Sequence, residues 1–101
     1  MTPEAKIQQK AIDYARSRGF KVRRNHMGPG VETGWPDVEF LPGGGFVFFI
    51  EFKAPGGACS ARQRLVIAEL IRRGYDVHVC WSFEDARQVI DGWVDRLDKL
   101  H

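Results

Sequence analysis

The chain has 101 residues, of which 44% are hydrophobic and 28% are charged. This length and composition are typical of one globular domain spanning 1–101, and they exclude a largely disordered chain. The formal net charge of +2 is too small to identify a nucleic-acid-binding protein by itself. The two cysteines, Cys59 and Cys80, form no CxxC pair, so a disulfide framework is not indicated and a reducing, cytoplasmic location is expected. The longest apolar run, Phe46 to Ile50, is too short to cross a bilayer, so no membrane partner is expected.

The first predicted element is a helix from Pro3 to Arg18. Thr2 is suited to cap its N-terminus, and Gly19 is suited to end it. Apolar side chains at helical spacing mark its buried face, namely Ile7, Ala11, Tyr14 and Ala15. Glu4 and Gln8 lie on this same face, and a carboxylate in line with a buried stripe needs an explanation.

Three predicted strands follow, at Phe20–Arg24, Pro36–Leu41 and Phe46–Lys53. The second and third are joined by a glycine-rich turn, which predicts antiparallel pairing. The third strand is apolar on both faces as far as Glu51, a pattern typical of an interior strand covered on both sides.

A second helix is predicted from Ala61 to Arg73, because Ser60 and Gln63 form an S-x-x-Q capping box at its start. Its predicted core-facing residues are Leu65, Ile67, Ala68, Leu70 and Ile71. A fourth strand, Val77–Trp81, and a last helix capped by Ser82 complete the chain. The last helix carries an apolar stripe of Ala86, Val89, Ile90, Trp93, Leu97 and Leu100. The order α-β-β-β-α-β-α predicts an α/β domain with a mixed sheet flanked by helices, whose last strand is parallel to one of the others.

The chemistry of the chain is concentrated at the ends of the second and third strands. Residues two apart in a strand share a face and lie roughly 7 Å apart, so Glu51 and Lys53 are directed at one place. Antiparallel pairing brings Asp37 beside Glu51. Two carboxylates this close repel each other unless a cation intervenes, and Mg²⁺ is the cation that such oxygen ligands suit. Lys53 then fits the role of a partner for the phosphate or the nucleophile.

Several of these features also have a plainer interpretation. The E-x-K triplet taken alone is compatible with a surface salt bridge at a strand end. Basic residues in two groups are compatible with phosphate contacts or with solvated helix and loop ends. The first group is Arg16, Arg18, Lys21, Arg23 and Arg24, and the second is Arg62, Arg64, Arg72 and Arg73. Among the tryptophans, Trp81 and Trp93 are predicted to pack, whereas Trp35 is the candidate for stacking on a base.

Pro36-Asp37 followed by Glu51-Phe52-Lys53 is the P-D…E-x-K pattern of the PD-(D/E)XK nucleases. From Pro3 to Val79 the chain resembles the virus-type replication-repair nuclease family, VRR-NUC. The matching features are Glu4 in the first helix, the glycine-containing loop from Gly28 to Trp35, the E-x-K strand ended by a glycine-bearing loop, and Gln63 in the next helix. The combination is far more specific than any one of its parts.

The resemblance implies a restriction-endonuclease-like core and a phosphodiester hydrolase acting on DNA with Mg²⁺ or Mn²⁺. It implies that Asp37 and Glu51 bind the metal, together with the backbone carbonyl of Phe52. Glu4 would reach the metal directly or through water, Lys53 would orient or activate the attacking water, and Gln63 would steady the site. A stand-alone member of this size is similar to Holliday-junction resolvases, which implies a homodimer and branched or four-way-junction DNA. A phage or prophage source, with action in the host cytoplasm, would suit the family.

Alternatives remain open from the sequence. Glu4 also favours the positive end of the first helix, and Gln63 has a sufficient local role in its capping box. For the whole chain, the alternatives to a nuclease are a non-catalytic DNA-binding module, an interaction domain, and a nuclease subunit that a partner protein directs to its substrate.

Overall fold

The computed structural model describes residues 1–25 and 32–100, in which three helices flank one four-stranded sheet. The elements in chain order are α1 (Pro3–Ser17), β1 (Lys21–Arg24), β2 (Val38–Gly43), β3 (Phe46–Phe52), α2 (Ala61–Arg72), β4 (Asp76–Cys80) and α3 (Phe83–Asp98). The predicted α/β class and element order are confirmed, and the predicted boundaries differ from these by at most two residues. No helix among these residues is long and apolar enough to cross a membrane.

The sheet has the order β1-β2-β3-β4. β2 pairs antiparallel with both β1 and β3, whereas β4 pairs parallel with β3. The predicted hairpin, the interior position of β3 and the parallel last strand are therefore confirmed. Gly44 and Gly45 form the turn between β2 and β3, where their positive φ angles of 64° and 82° favour glycine.

The two faces of the sheet carry cores of different size. α1 and α3 pack on one face and bury a large core, whose members are Ala11, Ile12, Ala15, Phe20, Val38, Phe40, Phe48, Ile50, Phe52, Cys80, Ala86, Ile90 and Trp93. α2 packs on the other face and buries a small core of Phe49, Val66, Leu70 and Val77. The small core leaves room on its face of the sheet for polar groups.

The predicted core face of α2 is wrong at three positions. Leu65 and Ile71 are 63% and 52% exposed, and Ala68 is also exposed. The residues that α2 buries are Val66 and Leu70. The helix carries two apolar stripes, and the stripe that faces the sheet also contains Gln63. On this side of the helix, Gln63 donates a hydrogen bond to Glu51 on β3. The observed orientation of α2 is thus accompanied by a polar contact between distant segments.

Two other packing predictions are wrong. Trp81 is 40% exposed, and its indole N–H donates to the carbonyl of Gly57 at 2.6 Å. Leu100 is 61% exposed because it follows the last residue of α3 and no longer lies on the helical stripe. Trp93 is buried as predicted, and its indole N–H donates to Asp76 at 2.8 Å.

Candidate metal centre

Asp37 and Glu51 lie side by side because β2 and β3 are antiparallel and Val38 pairs with Ile50. The backbone N–H of Asp37 donates to Glu51 Oε1 at 3.2 Å. The backbone N–H of Phe52 donates to Asp37 Oδ2 at 3.0 Å. Each carboxylate thus accepts a hydrogen bond from the main chain of the neighbouring segment, which helps to fix the positions of both.

Glu4 brings a third carboxylate to the same place from the first turn of α1. One oxygen from each of Glu4, Asp37 and Glu51 lies within 4.8 Å of the other two. Glu51 is only 1% exposed, whereas Glu4 and Asp37 are partly exposed, so the cluster opens to solvent on one side. The position of Glu4 in line with the buried stripe of α1 is therefore explained, because this side of the helix directs its carboxylate toward Asp37 and Glu51.

Lys53 and Gln63 close the buried side of the cluster. Lys53 Nζ lies 3.2 Å from Glu51 Oε2 and donates to Gln63 Oε1 at 2.9 Å. Gln63 Nε2 donates to Glu51 Oε2 at 3.0 Å, which completes a ring of three polar contacts. The predicted capping box is also present, since Gln63 Oε1 accepts from the N–H of Ser60 and Ser60 Oγ accepts from the N–H of Gln63. Gln63 therefore has both roles at once, as part of the helix cap and as a member of this polar cluster.

The cluster carries negative charge that its own lysine does not fully compensate. Burial and the adjacent charge of Asp37 raise the pKa of Glu51 to about 7. Burial also raises the pKa of Asp37, although the Phe52 N–H and the charge of Lys53 act in the opposite direction. For Lys53, burial acts to lower the pKa, but the hydrogen bond and charge of Glu51 outweigh it and raise the pKa. Such carboxyl groups are stabilised in their charged form by an added cation.

Two contacts that the sequence did not predict hold the segment from Thr33 to Asp37 in place. Asn25 donates from its side chain to the carbonyl of Pro36 at 2.8 Å, and its backbone N–H donates to the carbonyl of Asp37 at 2.7 Å. Arg62, in the first turn of α2, donates to the carbonyl of Thr33 at 3.1 Å. No local sequence pattern predicts either contact, because both depend on the tertiary fold.

Gly34 lies in the same segment, between Thr33, which Arg62 contacts, and Pro36, which Asn25 contacts. Its φ angle is +89°, and an added Cβ would lie 2.9 Å from Arg62 Cγ and 3.0 Å from the Arg62 carbonyl oxygen. This position therefore requires glycine both for its backbone conformation and for its close approach to α2. The segment that leads to Asp37 is packed directly on the helix that carries Gln63.

The VRR-NUC domain family model matches residues 26–84, which is more than half of the chain. The chain belongs to the VRR-NUC family. A solved structure described as a VRR_NUC domain superposes on it with a TM-score of 0.80, covering 90% of this chain and 97% of the other at 24% identity. At this identity the likeness shows the fold. No curated protein sequence matches the chain.

The VRR-NUC match bears on the predicted site in a specific way. Asp37, Glu51, Lys53 and Gln63 lie inside the matched range, and Glu4 lies outside it. The family is one of nuclease-type DNA-processing domains, and the predicted resemblance to VRR-NUC is confirmed. The predicted glycine-containing loop begins within residues 26–31, which lie outside the described part of the chain.

The residues of this VRR-NUC domain fit a divalent metal ion. Three carboxylates converge on one point, two of them with raised pKa values, and oxygen ligands of this kind are the donors that Mg²⁺ and Mn²⁺ prefer. Cys59 lies near the cluster, and burial raises the pKa of its thiol, which does not favour a thiolate ligand. The donor set is that of a hard cation rather than of zinc.

Proposed function

We propose that this chain acts as a divalent-metal-dependent DNA nuclease that hydrolyses phosphodiester bonds. The observation that carries the proposal is the convergence of Glu4, Asp37 and Glu51 within 4.8 Å beside the ammonium group of Lys53. A module that only binds DNA has no use for three carboxylates that repel phosphate. A site that holds a divalent cation does, because the cation reverses the local charge.

In this proposal, Asp37, Glu51 and the backbone carbonyl of Phe52 bind Mg²⁺ or Mn²⁺, and Glu4 contacts it directly or through water. When bound, such a metal polarises a phosphoryl oxygen and lowers the pKa of a coordinated water. Lys53 donates a hydrogen bond to charge that develops on the phosphoryl group or to the attacking water. Gln63 orients Lys53 and Glu51 relative to each other, since it contacts both.

We further propose that the substrate is branched DNA and that the enzyme is a structure-specific endonuclease of the Holliday-junction-resolvase type. A four-way junction has two equivalent strands to cut, and a homodimer with two-fold symmetry offers one site to each. The free thiols of Cys59 and Cys80 are consistent with action in the cytoplasm.

The test is a cleavage assay on labelled single-stranded, duplex, flapped and four-way-junction DNA in Mg²⁺, Mn²⁺ and EDTA. Asp37→Asn serves as the matched variant, because it keeps the size of the side chain and removes the charge. We expect cutting that requires metal, prefers branched substrates and disappears in Asp37→Asn.

Each of the other possible results would contradict a different part of the proposal. Cutting in EDTA, or undiminished cutting by Asp37→Asn, would contradict the proposed metal centre. Binding of DNA without any cutting would favour the non-catalytic module or a nuclease subunit that requires a partner. Metal-dependent cutting of duplex and junction at equal rates would leave the nuclease and remove the junction specificity.

A further inference from the structure

A cavity of about 520 Å³ opens on the α2 side of the sheet. Three aromatic side chains line it, and we call it the aromatic pocket: Trp35, Phe49 and Tyr75. The Trp35 and Phe49 rings meet edge to face with centroids 6.0 Å apart, and Phe49 and Tyr75 do so at 5.9 Å. Tyr75 is 44% exposed and Trp35 is partly exposed, so ring surface is open to a ligand. The volume is within the usual range for small-molecule sites.

The aromatic pocket lies next to the candidate metal centre on the same face of the sheet. Phe49 precedes Glu51 by two residues on β3, and Glu39, at the pocket rim, follows Asp37 by two residues. Residues two apart on a strand point to the same side and are separated by roughly 7 Å. A DNA strand whose phosphate lies at the metal centre therefore passes close to the mouth of the pocket.

The charges at the rim identify the kind of ligand. Three carboxylates surround the mouth, and each is paired with an arginine, in the pairs Glu39–Arg23 at 3.3 Å, Glu69–Arg73 at 3.2 Å and Glu32–Arg62 at 3.0 Å. The three arginine side chains are 73%, 66% and 52% exposed, and each is already paired with its carboxylate, so the three pairs leave the rim without net charge. The rim thus offers hydrogen-bond acceptors and donors around the aromatic walls.

This arrangement discriminates among ligand classes. A simple anion would gain nothing from the aromatic walls, and a small cation would find the rim carboxylates already neutralised by arginine. A nucleobase satisfies both parts of the pocket, because its flat neutral ring stacks on aromatic side chains and its polar edge meets the donors and acceptors of the rim. The carboxylates suit the exocyclic amino groups of bases, which are donors.

We propose that the aromatic pocket binds one unpaired nucleobase of the DNA strand held at the metal centre. The inference rests on the proposed function, because it takes DNA as the bound ligand. A base inside a duplex must leave its stack to reach such a pocket, and the cost is least where the base is already unpaired. The substrate is therefore DNA that carries an unpaired nucleotide beside the bond to be cut, such as a flap or a junction with unpaired arms.

The test measures DNA binding by fluorescence anisotropy at fixed salt in Ca²⁺, a divalent ion that oxygen ligands also bind, and a gel of each sample establishes that the DNA is uncut. The probes are a fluorescein-labelled blunt duplex and the same duplex with a single-stranded tail. The variants are Tyr75→Ala, Trp35→Ala and Trp35→Phe, with Leu65→Ala as the matched control on the outward face of α2. Tyr75 is the safest substitution for folding, since its side chain is largely at the surface.

We expect wild type to bind the tailed duplex more tightly than the blunt one. Tyr75→Ala and Trp35→Ala should weaken binding of the tailed duplex about tenfold, in line with the loss of one stacked base, and change binding of the blunt duplex less than twofold. Trp35→Phe should retain most of the affinity, and Leu65→Ala all of it.

Equal loss on both probes, no loss in Tyr75→Ala, or a comparable loss in Leu65→Ala would overturn the base-binding pocket. These failures are distinct from failure of the proposed function. A wild type that cuts DNA with metal but ignores the tail loses only the pocket, whereas a wild type that neither binds nor cuts any DNA loses both.

Discussion

The two faces of the sheet differ in what they bury. On the face covered by α1 and α3, the large core is apolar throughout, and the rings of Phe40, Phe48 and Trp93 stack on one another with centroids 4.8 Å and 5.4 Å apart. On the α2 face, four apolar residues form the small core, and Glu51, Lys53 and the aromatic pocket occupy the remaining surface.

This difference shows how a domain of 101 residues holds a buried carboxylate next to two others. One well-packed face supplies most of the apolar burial, at roughly 25 cal/mol per Å². The other face can then tolerate groups that lower stability in the absence of a ligand. β3 contributes to both faces, since Phe48, Ile50 and Phe52 enter the large core, whereas Phe49 enters the small core and Glu51 the candidate metal centre.

The largest expected effect compares two neighbouring phenylalanines of β3 that point to opposite faces. Phe48→Ala should destabilise the protein by about 4 kcal/mol, because Phe48 is fully buried between two other rings. Phe49→Ala should cost about 3 kcal/mol, at the low end for such a change, since Phe49 borders the aromatic pocket and the site can collapse or fill with water. Urea unfolding monitored by circular dichroism measures both. Equal losses would contradict the assignment of stability mainly to the α1–α3 face.

The next effect concerns catalysis on the α2 face. Lys53→Ala should lower the single-turnover cleavage rate about a hundredfold, as expected from the loss of one charge-stabilising donor. The Mg²⁺-dependent rise in melting temperature should remain, because Lys53 is not a proposed metal ligand. Lys21→Ala, at an exposed lysine of β1, is the matched control and should cut at the wild-type rate.

A cleavage assay at neutral pH and at pH 9 distinguishes two causes of the lower rate of Lys53→Ala, namely a changed pKa of Glu51 and the missing ammonium donor. Without the Lys53 ammonium, the pKa of Glu51 rises further, and a loss from this cause recovers at higher pH. A loss from the missing donor persists at every pH. Recovery of full activity at pH 9 would contradict the role assigned to Lys53 in the reaction.

The pH dependence of stability should also arise on the α2 face. Because the pKa of Glu51 is raised to about 7, the folded state retains this proton up to about pH 7, whereas the unfolded chain releases it near the usual glutamate pKa of 4.5. Between these values the folded state binds more protons, so the free energy of unfolding falls as pH rises, by about 1–3 kcal/mol, and levels off above the folded pKa. The raised pKa of Asp37 acts in the same direction.

Thermal unfolding from pH 4.5 to 8, with and without Mg²⁺, measures this effect. Glu51→Gln should flatten the profile and raise stability at neutral pH in EDTA. Added Mg²⁺ should stabilise wild type most at high pH, where both carboxylates are charged, by binding the folded state alone. A wild-type profile that rises from pH 5 to 7 in EDTA would contradict the buried, uncompensated carboxylates.

The convergence of the three carboxylates could be predicted because its geometry follows from local rules. Alternation along β3 puts Glu51 and Lys53 on one face, and a short turn between β2 and β3 brings Asp37 beside Glu51. The alignment of Glu4 with the buried stripe of α1 follows from helical periodicity in the same way. These relations need no knowledge of the rest of the fold.

What the sequence did not predict depends on contacts between distant segments. The supports of Asp37 from Asn25, and of the preceding segment from Arg62, join residues with no periodic relation. The orientation of α2 was mispredicted because its two apolar stripes are similar, and the contact between Gln63 and Glu51 distinguishes them only in the folded protein. The aromatic pocket likewise joins Trp35 to Tyr75 across the small core, and only Trp35 was noted in the sequence as a candidate for base stacking.

The smallest expected effect separates the two roles of Gln63, in helix capping and in the metal centre. Ser60→Ala removes the side-chain acceptor of the capping box but leaves the Gln63 amide and the Ser60 backbone N–H in place. It should cost about 1 kcal/mol of stability, the usual value for an N-cap, with an unchanged cleavage rate below the melting transition.

Gln63→Ala should cost a similar amount of stability and also slow cleavage about tenfold, because Lys53 and Glu51 lose their shared partner. Gln63→Glu, in which an acceptor replaces the Nε2 donor facing Glu51 Oε2, should slow cleavage more than Gln63→Ala at pH 8. If Ser60→Ala and Gln63→Ala reduced stability and rate in the same proportion, the contribution of Gln63 to the site would be that of a helix cap alone.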